Sequence, residues 1–183
     1  MSETRPLVVK VGGGLLRDEG LDGLRRACAE VTSLAARRPV LVVPGGGPFA
    51  DAVRAVDDQV GLADSTAHRL ALHAMDQLGV LLVPFLPGAE LLDRLIAPAS
   101  LGLLLASPAF EGRPDVPESW DVTSDSLAVL AAGAIGADEA ILLKPVAGGL
   151  ELVDPYLVDA ARRTGVTVVV RPPGGVGTRI TLR

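Results

Sequence analysis

The stretch PLVVKVGGGLL, Pro6–Leu16, sets a charged residue inside an apolar, β-branched run and follows it with three glycines. Apolar residues without polar alternation read as a strand buried on both faces, as in the interior of a parallel sheet. Such a strand excludes an ammonium group unless the group is paired or reaches the strand's end. Gly12, Gly13 and Gly14 end the strand and leave bare backbone beside Lys10. The same order recurs in PVLVVPGGGP, Pro39–Pro48, where an apolar run stops at Gly45, Gly46 and Gly47.

Outward from these two stretches, strand and helix patterns alternate. Leu21, Leu24, Cys28, Val31 and Leu34 form a helical stripe, and Phe49, Ala52, Val53 and Val56 form another, with Asp51, Arg54, Asp57 and Asp58 on its polar side. From Asp64 a longer helix carries two stripes, one of Ala67, Leu70, Ala71, Ala74 and Leu78 and one of His68, Leu72 and Met75. Two stripes suit a helix packed on both the core and a neighbouring subunit. Residues 80–86 fit either a continuation of that helix or a strand, 88–99 a short helix, and 101–108 a strand. Residues 110–125 are a long polar loop, a length more often functional than idle in a compact domain. Residues 126–137 read as a helix with Asp125 in its first turn, and 139–144 as a strand. Residues 154–165 read as a helix with Asp154 as N-cap and Pro155 at its first position. Residues 167–171 and 178–182 read as strands.

This alternation predicts one α/β domain over residues 1–183, a three-layer αβα sandwich with a mostly parallel central sheet. Ligands of such sheets bind beyond the carboxyl ends of the strands. Lys10 with its glycines, the Gly45–Gly47 loop, the segment before Asp125, and Lys144 with its following turn therefore belong on one edge.

Composition narrows the function. Apolar residues make up 49 % of the 183 and charged residues 21 %, which describes a globular chain. A net charge of −5 argues against a nucleic-acid partner but leaves room for local phosphate donors. No apolar run approaches the ~18 residues that span a bilayer, and MSETRP lacks a signal-type stretch. The expectation is a soluble cytoplasmic protein with no membrane partner. The one cysteine, Cys28, sits in the helical stripe and reads as core. Of the 17 basic residues only Lys10 and Lys144 are lysines. In an arginine-biased chain, a retained lysine suits a place that needs a compact point charge.

Glycines let backbone N–H groups approach an anion, and a following helix N-terminus adds positive potential. Two such loops on one sheet edge can hold two phosphate-bearing groups, the arrangement needed to pass a phosphoryl group between them. Lys10 at the first loop can neutralise charge on the transferred group. In WDVTSDSLA, Asp121 or Ser124 can cap the following helix and Thr123 offers a hydroxyl. Asp125 is either an ordinary first-turn acid or the group that orients Lys10 and Lys144. Walker A, G-x-G-x-x-G and G-x-S-x-G patterns are absent. His68 and His73 have no cysteine near them and do not form a zinc pattern, and His68 reads as a packing or interface residue.

The stretches VVKVGGGLL, VVPGGGPFADAVR, WDVTSDSLAVLAAGAIGADEAILLKPVAGG and GVGTRI together resemble the amino acid kinase superfamily, in the family's order. Within it, AHRLALHAMDQLG, WDVTSDSLA and VDPYLVDAARRTG are similar to the small kinases of methanofuran biosynthesis. The resemblance implies the carbamate kinase-like fold and transfer of a phosphoryl group from ATP, with Mg²⁺, to an aminomethylfuran methyl phosphate. It implies catalytic roles for Lys10, Asp125 and Lys144. It implies nucleotide contacts from Gly12, Gly13, Gly14, Lys144, Pro145, Gly148 and Gly149. Acceptor contacts would come from Gly45, Gly46, Gly47, Thr123 and Ser124. A homodimer or higher homo-oligomer is implied as well. Many relatives carry an acidic T-D-V-D-G turn where this chain has Lys144–Gly148. A kinase for another small phosphate or carboxylate, and a non-catalytic relative that binds an anion or nucleotide or joins a larger assembly, are the alternative readings.

Overall fold

The computed structural model describes residues 5–181. In chain order the elements are β1 (Leu7–Val11), α1 (Gly13–Ala35), β2 (Val40–Pro44), α2 (Gly47–Val60), α3 (Asp64–Leu82), a 3₁₀ turn (Val83–Phe85), β3 (Glu90–Leu92), β4 (Leu101–Leu104), α4 (Ala106–Phe110), α5 (Ser124–Ala134), β5 (Glu139–Leu143), a second 3₁₀ turn (Leu150–Leu152), α6 (Leu157–Thr164), β6 (Thr167–Arg171) and β7 (Thr178–Ile180). The strands form one sheet in the order β3-β4-β2-β1-β5-β6-β7, parallel except for β7. The last residue of the expected 178–182 strand lies outside the described residues.

Side-chain alternation divides the central strands between two cores. Leu7, Val9 and Val11 of β1 pack with Leu24, Ala27, Cys28 and Val31 of α1 on one face. Val8 points to the other face, among Leu127, Ala128 and Ala131 of α5 and Leu157 of α6. Each of these apolar side chains contributes roughly 1.5–3 kcal/mol when fully buried, so the sheet's centre anchors the fold. Cys28 is buried as core, and burial pushes its thiol up to about 11.

Helix α3 buries part of both stripes within the chain, Leu72 and Met75 in one core and Leu78, joined by Leu82, in the other, while Leu70 stays exposed. The helix continues through residue 82 rather than giving way to a strand. Helix α1 begins at Gly13, directly after β1, and is interrupted at Gly20, where φ is +63°. The stripe expected from Leu21 is its second segment. Helix α2 forms over the expected residues but buries only Gly47 and Ala50, and Val56 stays half exposed.

Three expected elements are different in the structure, the first being the 101–108 strand, which ends at Leu104 and gives way to α4 at Ala106. Residues 88–99 form no helix; Glu90–Leu92 pairs with β4 as a parallel edge strand, with Leu92 buried. Pairing and burial at the sheet edge outweigh the helix propensity of Glu and Leu. Asp154 does not cap α6, whose N-cap is Tyr156 without a side-chain cap. Its carboxylate instead accepts from the Thr123 N–H (3.0 Å), the Thr123 hydroxyl (2.8 Å), the Ser126 N–H (3.0 Å) and the Ser126 hydroxyl. The cap of α5 is thus delivered from another element, not by Asp121 or Ser124.

Candidate active site

The chain runs from β1 outward to β2 and β4, then returns to place β5 on the other side of β1. The gap between β1 and β5 at their carboxyl ends is the switch point where open α/β sheets bind ligands. Lys10 is the penultimate residue of β1, and Lys144 follows the last residue of β5.

Lys10 shares a face with Val8 and so points toward α5. Asp125, in the first turn of α5, meets it there. Lys10 Nζ stands 2.9 Å from Asp125 Oδ1, a buried ion pair. Lys144 Nζ donates to Asp125 Oδ2 at 2.7 Å and to the Leu152 carbonyl at 2.5 Å. Burial pushes the Asp125 carboxyl up, and Lys10 and then Lys144 outweigh it, holding the carboxyl below its ordinary range. Burial, then repulsion from Lys10, hold Lys144 below the usual lysine range against the pull of Asp125. Asp154 fixes this geometry from behind, because it grips the residues on both sides of Ser124 and Asp125. Burial raises its own carboxyl against the hydrogen bonds from Ser126 and Thr123.

The two glycine loops touch one another. A Cβ on Gly13 would overlap the backbone of Gly47, and one on Gly12 would overlap the Leu143 carbonyl. Gly47 has φ +54°, where other residues are strained. The glycines therefore bring three strand ends together, and the first N–H groups of α1 and α2 are left without side-chain caps.

Beyond these loops lies a cavity of about 230 Å³. Lys10, Gly12, Gly13, Gly14, Gly46, Gly47, Thr123, Ser124, Asp125, Lys144 and Pro145 line it. Gly45 stands behind the wall against Gly13 and Val11, and Gly148 and Gly149 face Glu151 and Leu152 instead. The sequence reading missed Arg17, Asp51, Arg54 and Trp120, which also line the cavity. Asp51 pairs with Arg17 at 3.2 Å and with Arg54 at 3.6 Å. The signal available was Trp120, the single tryptophan of the chain, set in a polar loop. His68, read as a packing residue, is buried but reaches the cavity wall. Burial lowers its pKa from the ordinary 6.5, against Glu118 and the Ser119 backbone. Four cations against two carboxylates leave the wall two positive charges, the complement of a phosphate monoester dianion.

A parallel α/β sheet with glycine loops and a carboxylate-bridged lysine pair at its switch point is an α/β domain with a candidate anion site. The chain belongs to the amino acid kinase family, whose model matches residues 5–163. It is 28 % identical over 148 residues to [5-(aminomethyl)furan-3-yl]methyl phosphate kinase of Methanocaldococcus jannaschii, covering 77 % of this chain and 66 % of that relative. The match thus spans just under two thirds of the relative's length. Uridylate kinase from Archaeoglobus fulgidus superposes with a TM-score of 0.70 at 19 % identity, over 96 % of this chain and 99 % of that one. UMP kinase from Bacillus anthracis gives 0.72 at 16 %, over 97 % and 96 %. Aspartate kinase from Synechocystis gives 0.72 at 15 %, over 97 % of this chain and 40 % of that one. These structural likenesses establish the fold.

Proposed function

We propose that the protein transfers the terminal phosphoryl group of ATP to a small phosphorylated alcohol, forming a diphosphate. The aminomethylfuran methyl phosphate named in the Methanocaldococcus relative is the first acceptor to test. The observation that carries the reading is Lys10. The residue is 5 % exposed, lines the cavity and directs at most one of its three N–H donors at Asp125, so two remain for a ligand.

The residues present fit a polyphosphate. The uncapped N-terminus of α1 offers Gly13 and Gly14 N–H groups on the donor side, and that of α2 offers Gly46 and Gly47 on the acceptor side. Lys10 stands between them and balances charge on the group in transit. Asp125 aims both lysines. Lys144 ties Asp125 to the turn that ends at Leu152, and so sets the donor edge of the site. Among the described residues no group of three metal-ligating side chains is gathered. Mg²⁺ would be held by the nucleotide's phosphates, where it supplies charge neutralisation. The reading includes a homo-oligomer in the cytoplasm. The outward apolar residues of α3 and its 3₁₀ turn, Leu70, Val80 and Val83, are the surface for such a contact. Among the described residues no helix is long and apolar enough to cross a membrane.

The test is ADP release by purified protein with Mg-ATP and a panel of phosphorylated alcohols. Lys10→Ala is expected to abolish release while circular dichroism and melting remain those of a folded protein. Unchanged turnover in that variant rules the mechanism out. Tight ligand binding without turnover by the wild type supports the non-catalytic reading, which the carboxylate-free Pro145–Gly149 turn favours.

A further inference from the structure

We infer that Trp120 is the specificity-determining wall of the acceptor chamber, and that the chamber selects a phosphate monoester carrying a single-ring apolar body. The inference rests on the phosphotransfer reading and concerns the acceptor half of that site.

Loop Glu111–Thr123 contains no helix or strand, yet Trp120 within it is half buried and fixed in two ways. Its indole N–H donates to Asp57 Oδ2 at 2.7 Å, and the Arg54 guanidinium stands 4.6 Å from the ring centroid. Asp57 is itself held, since its other oxygen accepts the Leu62 N–H at 2.8 Å. Both anchors belong to α2, which follows β2, whereas Lys144 and Pro145 follow β5. Trp120 therefore closes the side of the cavity away from the donor edge. The wall also carries apolar side chains, Leu72, Met75, Val122 and Leu127. An anion anchored at Lys10 thus has its body held against hydrocarbon and a fixed aromatic plane. An aromatic wall already immobilised loses little conformational freedom when a ring packs on it. The cavity's 230 Å³ lies below the ~300–1,000 Å³ of drug-sized sites, which suits one ring rather than a nucleoside.

Because the chain has one tryptophan, its emission reports on this wall alone. Wild type, Trp120→Phe, Trp120→Ala and Asp57→Asn are titrated with benzyl phosphate and with inorganic phosphate, by calorimetry and, where Trp120 is present, by emission. The wild type should bind benzyl phosphate at least tenfold more tightly than inorganic phosphate, with a saturable change in emission. Trp120→Phe should keep most of that preference and Trp120→Ala should reduce it below threefold. Asp57→Asn lies off the cavity and, with one acceptor oxygen, cannot hold both the indole N–H and the Leu62 N–H. It should cut the preference at least threefold while leaving inorganic phosphate affinity unchanged. Equal affinities in the wild type, a silent emission, or an undiminished preference in Trp120→Ala overturns the assignment. ADP release separates the two readings. Ring preference without turnover refutes transfer and leaves the chamber. Turnover on ring-free acceptors with undiminished kcat/KM refutes the chamber and leaves transfer.

Discussion

Asp125→Asn removes one negative charge from between two ammonium groups while keeping the side chain's size. The carboxylate is 3 % exposed, with Lys10 Nζ 2.9 Å from one oxygen and Lys144 Nζ 2.7 Å from the other. Removing one member of a buried charge cluster costs about 3–5 kcal/mol, because its partners stay desolvated and unpaired. One partner has an escape. Lys144 already sits below its ordinary 10.5, held down by burial and by Lys10 and held up by Asp125. Without the Asp125 charge it falls further and sheds its proton nearer neutrality. Between a lowered folded pKa and the higher unfolded one, the unfolded chain binds more protons, so stability rises with pH by up to about 1.4 kcal/mol per unit. In the wild type that window opens below 10.5, and in the variant it reaches to lower pH.

Urea unfolding of both proteins between pH 6.5 and 9.5 measures this. The variant should be about 3–5 kcal/mol less stable at pH 6.5, a midpoint loss of ~1.5–2.5 M for an m-value near 2 kcal/mol/M. The deficit should shrink by about 1–3 kcal/mol by pH 9.5. An acid that merely complements a helix end is worth ~0.3–1 kcal/mol and gives a small, flat deficit. A deficit of that size, or a large one independent of pH, would falsify the buried lysine–carboxylate–lysine unit.

Asp154→Ala unpins Thr123 and Ser126 and should cost about 2 kcal/mol, lowering Tm by ~4–8 °C. It should lower kcat more than it raises KM, which steady-state kinetics checks. Gly13→Ala forces a methyl into the Gly47 backbone and should cost over ~2 kcal/mol. Gly20→Ala meets open space and strains only φ, so denaturant titration should find a loss nearer ~1–2 kcal/mol. Glu30 pairs with Arg171 and accepts the Gly174 N–H at 2.6 Å, so it pins the turn after β6 to α1. Glu30→Gln should make limited proteolysis faster within residues 172–177, read by mass spectrometry of the fragments.

The parallel core was legible because strands buried on both faces must be apolar throughout, and 7–11, 40–44 and 139–143 are. Lys10 was legible for the same reason in reverse, as the one residue that β1 had no structural cause to carry. Asp154 was misread because its sequence context, Asp before Pro at a helix start, is a good local cap. Only the tertiary structure shows its carboxylate turned to Thr123 and Ser126, about 30 residues away. Trp120 and Asp57 are 63 residues apart, and nothing in either segment announces the other. The β3 strand was hidden because three residues carry too little pattern to compete with helix propensity until β4 supplies a partner.

The two retained lysines are not equivalent, and the difference bears on mechanism. Lys144 spends two of its three donors within the protein, one on Asp125 and one on the Leu152 carbonyl. A guanidinium there would have to fit a planar fork between a buried carboxylate and a single carbonyl, which an ammonium meets as a point charge. Among the described residues Lys10 has Asp125 as its one partner, and its two other donors are left for the cavity. A Cβ on Gly12 would come within 3.4 Å of its Nζ, so the bare backbone of the loop leaves the ammonium its place. The first lysine therefore faces the ligand and the second holds the carboxylate that aims it. Lys144→Met should consequently act through Asp125: it should loosen the turn to Leu152 and lower kcat. Ligand affinity for inorganic phosphate should change less than in Lys10→Met. Equal losses of phosphate affinity in the two variants would show that both ammonium groups reach the ligand.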